Sequence, residues 1–266
     1  MILLHGVLAI LSGALAALIA LSHPLWPASL AIALLVWCVV VCLNPVIWLA
    51  LLPAGLPLAG FSPWTGWIGV EEFDLFCLGA AAGSLSRLVL QRLWPARWLR
   101  AAERSADGHG DERLAGGVLL LPTASPPRLP LSPDSRRRQW LAGCALALLA
   151  ASCLVAVGRG LIAAGGPPLD WFEGYEEPLN CLRVAKSLLL VLLLLPSLCD
   201  LLRCRPRSST RCLAAGTVAG LAVVVLAALW ERLAHPGLLD FTTAYRTTAL
   251  FWEMHVGGAA LDAFLA

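Results

Sequence analysis

Arg183 and Lys186 stand one helical turn apart in EEPLNCLRVAKSLLL, where a long apolar run begins. Cations at i and i+3 share a helix face, and such a pair can hold the diphosphate of a lipid-linked substrate. Positive charge near a helix N-terminus opposes the macrodipole, so the pair calls for partners. Glu176 and Glu177 are one set, lipid phosphates reached by snorkelling are a second, and a bound diphosphate is a third. Another polar group lies in YRTTALFWEMHVGGA, residues 245 to 259. There Tyr245 and Arg246 read as substrate-binding residues, with the arginine as an anion clamp. Glu253 or His255 reads as the catalytic proton acceptor, a role that suits histidine because it titrates near neutral pH. Gly257 and Gly258 allow close helix packing or backbone approach to a ligand. The competing reading is a re-entrant or interface-lying helix whose polar residues pair among themselves.

A third group is WTGWIGVEEFDL, in which Glu71, Glu72 and Asp74 open an apolar segment. Acidic residues at a helix N-terminus favour the macrodipole, and Trp64 and Trp67 fit an interfacial aromatic belt. A paired-carboxylate acid/base site or a cation site is the alternative. Other chemistries lack their signatures. The chain has no GxxxxGK[ST], HExxH or GxSxG and no dinucleotide fingerprint in a strand-to-helix context. Of the nine cysteines, Cys38, Cys42, Cys77, Cys144 and Cys153 fall in apolar runs, and Cys199, Cys204 and Cys212 show no paired CxxC spacing. The reading is therefore no disulfide, no metal and no cofactor. The arginine-rich stretch is better explained by topology than by nucleic acid as a partner.

The elements that must position these residues follow from composition. Of 266 residues, 59% are hydrophobic and 14% charged, with a mean hydropathy of +0.79. A soluble domain carries about 25% charged residues. Apolar runs fall at 1 to 21, 29 to 43, 46 to 60, 72 to 92, 140 to 157, 182 to 202 and 212 to 230, with a remnant from 256 to 266. Several approach the ~20 residues that cross a bilayer, so the expected fold is all-α, a polytopic transmembrane bundle of about six to eight membrane segments. The first run lacks a basic n-region and is too long for a signal peptide, so it reads as the first membrane helix. Asn44-Pro45 breaks the second run, and two short segments forming a helical hairpin are favoured over one long broken helix.

Charge asymmetry then orients the segments. Residues 93 to 139 carry Arg97, Arg100, Arg104, Arg113, Arg128 and Arg136 to Arg138, and Arg203, Arg205, Arg207 and Arg211 follow Leu202. Both stretches are expected on the cytoplasmic side. Between them, residues 158 to 181 hold Asp170, Glu173, Glu176 and Glu177 against Arg159 and read as an outer loop, as do 62 to 67 and 231 to 255. No lysine or arginine precedes Arg87, so the side of the N-terminus depends on the hairpin, which makes it cytoplasmic. The expected organisation is an N-terminal helical group over 1 to 92, a disordered Arg/Pro-rich cytoplasmic linker over 93 to 139, and a second helical group over 140 to 266. The remnant 256 to 266 covers roughly half a bilayer, which suggests an N-terminal fragment of a longer protein.

Three stretches, LLPAGLPLAGFSPWTGWIGVEEFDL, YEEPLNCLRVAKSLLLVLLLLP and WERLAHPGLLDFTTAYRTTALFWEMHVGGAALDAFLA, resemble the N-terminal part of bacterial O-antigen ligase and polymerase proteins. The resemblance implies an inner-membrane protein of cell-surface polysaccharide assembly. Such proteins transfer glycan from an undecaprenyl-diphosphate carrier on the periplasmic face, where arginines hold the diphosphate. By that likeness Arg183, Lys186, Arg246 and His255 lie on the working side, and the partners are membrane lipids and the lipid-linked glycan. A membrane transporter or a non-catalytic scaffold subunit is the alternative reading of the same charges.

Overall fold

The structure, a computed structural model, describes residues 2–23, 26–59, 70–93, 133–163, 165 and 180–234. These form seven α-helices and no strand: α1 (Ile2–Leu21), α2 (Pro27–Leu43), α3 (Ile47–Ala59), α4 (Glu72–Leu93), α5 (Pro133–Ala163), α6 (Asn180–Cys204) and α7 (Pro206–Ala234). Five of them, α1, α4, α5, α6 and α7, contain stretches long and apolar enough to cross a membrane. Only a helix or a closed barrel satisfies all its backbone polar groups in lipid, so such runs fold as helices whatever their neighbours.

The central helix is α4, of whose apolar window 72% is buried, against 28% for α1 and less for the other spans. Its sequence explains the position. In LGAAAGSLS the small residues Gly79 and Gly83 recur four apart and let a neighbouring backbone come close. A Cβ at Gly83 would lie 2.4 Å from the Cys38 carbonyl oxygen, and one at Gly79 would lie 2.6 Å from the Trp37 ring. α2 fills that groove: the Trp37 indole stacks on Phe76 with centroids 4.3 Å apart and its Nε1–H donates to the Phe76 carbonyl at 2.9 Å. On another side of α4, Gly13 of α1 lies opposite Ala82 and Gly6 opposite Val89, so α1 runs antiparallel to α4.

α2 runs parallel to α4 from Trp37 beside Phe76 to Cys42 beside Arg87. The chain then reverses at Asn44–Val46, and α3 returns until Gly55 reaches Phe76. The two segments are therefore the helical hairpin favoured from the sequence. Pro45 ends the first run, because proline has no N–H to continue the ladder. Pro53 and Pro57 lie inside α3, where neighbouring elements can shield the freed carbonyls.

α7 lies along α3 in the same direction. Ser209, Gly216, Gly220, Val224 and Glu231 form its buried stripe, and a Cβ at Gly216 would lie 2.2 Å from the Ala50 carbonyl oxygen. This second small-xxx-small step, GTVAG, works as GAAAG does in α4.

Several boundaries differ from the sequence expectation. Helix continues to Ala163 in α5 and to Ala234 in α7. Residues 158 to 163 and 231 to 234 of the expected outer loops are therefore helical, because each span carries its ladder past the apolar run. α5 starts at Pro133, so the last residues of the stretch expected to be disordered, Arg136 to Arg138 among them, are helical. Proline is well placed in a first turn, and once an apolar span is helical the cost of nucleation is already met for the turns that precede it. Residues 94 to 132 lie outside the described residues. The expected short loop after Leu202 is a single residue, Arg205, between α6 and α7. Ser209, fully buried, closes this turn by donating from Oγ to the Leu201 carbonyl at 3.2 Å.

The helices share two ends. Arg92 and Arg203 lie in the last turns of α4 and α6; Arg136 to Arg138 lie near the start of α5, and Arg207 and Arg211 near the start of α7. α1 also begins at this arginine end. The opposite end carries the acidic start of α4 and the start of α6, and we call it the acidic end.

Candidate functional site

The acidic end is organised by Asp74. Glu71 precedes the first turn of α4, and its backbone N–H donates to Asp74 Oδ2 at 2.8 Å. The Asp74 N–H donates in return to the Glu71 carbonyl at 2.9 Å. This is the acidic half of a capping box, in which the third helical residue satisfies an orphan donor at the helix start. The same carboxylate oxygen accepts from Lys186 Nζ at 2.6 Å, and Glu71 Oε1 lies 3.4 Å from that ammonium. Side-chain exposure is 14% for Lys186, 12% for Asp74 and 36% for Glu71. The ion pair with Asp74 is thus largely withdrawn from solvent, and Glu71 forms its wet rim.

Among the described residues, the partners of Lys186 are Asp74 of α4 and Glu71 just before it; Glu176 and Glu177 lie outside the described residues. Asp74 serves the helix start, and the cation that Asp74 and Glu71 hold among the described residues is the lysine ammonium. With two carboxylates against one ammonium the cluster is net negative.

Arg183 lies one turn before Lys186 in α6, and its side chain is outside the described part of the structure. Tyr245, Arg246, Glu253 and His255 lie wholly outside the described residues. Of the substrate-binding and catalytic candidates Arg183, Lys186, Tyr245, Arg246, Glu253 and His255, Lys186 is the one whose side-chain contacts are among the described residues.

The arginine end holds a polar centre that the motif search passed over. Arg87 is 7% exposed, and its Nη1 donates to the Cys42 carbonyl at 2.9 Å and the Leu43 carbonyl at 2.5 Å. Those carbonyls belong to the last turn of α2, which has no intrahelical donors for them and carries partial negative charge. Beside Arg87 opens a cavity of about 260 Å³, lined by Ser84 and Gln91 of α4, Ser197 and Asp200 of α6, Arg205 at the α6–α7 turn, and Pro45 at the hairpin tip. An arginine inside an otherwise apolar run was the signal available in the sequence, since ionisable groups within spans are functional or structural pivots.

Five membrane-length apolar helices around a small-residue seam, with arginines gathered at one end, define a polytopic helical membrane protein. No protein-family model, curated protein or solved structure matches the chain.

Proposed function

We propose that the protein is an inner-membrane component of bacterial cell-surface polysaccharide assembly that handles a lipid-linked sugar diphosphate at its acidic end. The observation that carries the reading is the convergence of the starts of α4 and α6 there, fastened by Lys186, Asp74 and Glu71. That link holds the turn bearing Arg183 at the end opposite the arginine-rich one, the outer side by the positive-inside rule. Within this reading Arg183 and Arg246 contact the diphosphate, and Glu253 or His255 accepts the proton of the acceptor hydroxyl. Lys186 is a positioning residue, because its charge is already balanced.

One observation favours the rival reading of a non-catalytic membrane scaffold. The neutralised Lys186 looks like a fastener between helices, as a scaffold requires, and it leaves one fewer cation for a substrate. A binding titration separates the two. The protein in phosphatidylcholine nanodiscs is titrated with an undecaprenyl-diphosphate sugar and bound ligand is quantified. Saturable binding, weakened about tenfold or more by Arg183→Ala or Arg246→Ala, supports the glycan reading. Absence of saturable binding, or equal binding by all forms, sinks it in favour of the scaffold.

A further inference from the structure

We infer that the polar cavity at the arginine end is a binding site for a phosphate group, presented by an anionic phospholipid headgroup or by free phosphate. The inference is independent of the glycan reading, which concerns the opposite end of the bundle.

The lining gathers hydrogen-bond donors from separate elements around one space. Arg87 and Gln91 come from α4, Ser197 from α6, and Arg205 from the single residue between α6 and α7. Two guanidinium groups against the one carboxylate of Asp200 leave the lining with a net charge of +1. A tetrahedral phosphate offers oxygens in several directions and matches donors arriving from several sides, whereas a planar carboxylate matches a single fork. The first turns of α3 and α7 begin at the cavity wall, beside Pro45 and Arg205, while α4 and α6 end there; the partial charges of helix starts and helix ends offset one another, and the side chains set the balance. At about 260 Å³ the space exceeds the ~30 Å³ share of one water several times over, so a phosphate group enters together with hydrating water.

Position supports the same ligand class. The cavity lies where α4 and α6 end and α7 begins, level with the exposed arginines Arg203, Arg205 and Arg207. This is the depth at which headgroups meet a membrane protein, and basic pockets between helices on the arginine-rich side hold anionic headgroups. Asp200 serves as a counterweight: it keeps the arginines from repelling one another when the site is empty, and it opposes the ligand when the site is filled.

The test uses the full chain purified in detergent. Native mass spectrometry counts retained phosphatidylglycerol or phosphatidylcholine, and thermal denaturation is followed with and without inorganic phosphate. The expected result is selective retention of phosphatidylglycerol or a rise in melting temperature with phosphate; the first outcome names a headgroup as the source and the second free phosphate. Arg205→Gln should weaken the effect about tenfold. Asp200→Asn, of nearly equal shape, should strengthen it several-fold, and Arg207→Gln, whose exposed side chain is outside the lining, should leave it unchanged. Loss of binding in Asp200→Asn, equal losses in Arg205→Gln and Arg207→Gln, or no selectivity for either phosphate probe would overturn the inference. Because Arg87 also caps α2, it is left intact throughout.

Discussion

The Lys186 ammonium lies 2.6 Å from Asp74 Oδ2 across 112 residues of chain, and that contact joins the two halves of the bundle at one end. A pair so far withdrawn from water is strongly destabilising to break one-sidedly, because the partner stays behind as an uncompensated charge.

Removing the cation alone is the first test of this link. Lys186→Met leaves Asp74 and Glu71 facing apolar surface and is expected to destabilise the protein by about 2 kcal/mol, allowing for the partly exposed Glu71 rim. Adding Asp74→Asn and Glu71→Gln to the same chain should recover most of that loss. Thermal denaturation in detergent measures both. If the triple variant is no better than Lys186→Met, the ion cluster is not what couples α4 to α6.

Arg87 makes a different prediction. Arg87→Met removes the charge-assisted hydrogen bonds to Cys42 and Leu43, each of which contributes about 1.5–3 kcal/mol. The last turn of α2 and the reversal at Asn44–Val46 should then exchange amide hydrogens faster, while the middle of α4 stays protected. Uniform acceleration along the whole chain would mean that Arg87 supports global folding and not this hairpin.

The small-residue seams predict position-specific sensitivity. Gly216→Val forces α7 away from the Ala50 backbone, and Gly83→Val pushes α2 from α4. Overpacking of this kind costs about 1–3 kcal/mol or more where the obstacle is backbone. Gly143, with nothing within 4 Å of its would-be Cβ, is the control: Gly143→Ala should be neutral or stabilising by up to about 1 kcal/mol. Melting temperatures that fall equally for all three would contradict the seams.

Orientation is open to a labelling experiment on a cysteine-free background. Ser22, exposed beyond the end of α1, lies at the acidic end, and Arg207, exposed in the first turn of α7, lies at the arginine end. Ser22→Cys should react with an impermeant maleimide in intact cells, and Arg207→Cys only after permeabilisation. A cysteine placed anywhere in 101 to 139 should behave like Arg207→Cys. The reverse pattern inverts the topology and moves the acidic end inside.

How far the candidate site was legible depended on the range of the interaction. The helical start at Glu71, Glu72 and Asp74 was visible because capping and dipole effects act within one turn. Lys186 stood out as the lone lysine of the chain, but its partners did not, since nothing local links residue 186 to residue 74. The sequence neighbours Glu176 and Glu177, offered there as partners, lie outside the described residues. Arg87 was overlooked as a centre because it counted there only as the first basic residue, and the α2 carbonyls it binds carry no side-chain signature. GAAAG and GTVAG were not singled out as close-packing steps, and their partners Cys38 and Ala50 lie on other helices.

Hydropathy and charge, which act on each segment through its solvent, determined from sequence alone that this is a helical membrane protein. They also determined where its spans lie and which ends carry arginine, because lipid demands internal hydrogen bonding of every span independently of the others. Which helix sits at the centre, which carbonyls receive Arg87 and which acids hold Lys186 were decided only by the tertiary structure. Lipid is as apolar as the side chains it bathes, so hydrophobicity does not choose between one helix face and another. That choice falls to shape at the glycine seams and to charge pairs between distant segments, and both come into being only when the helices meet.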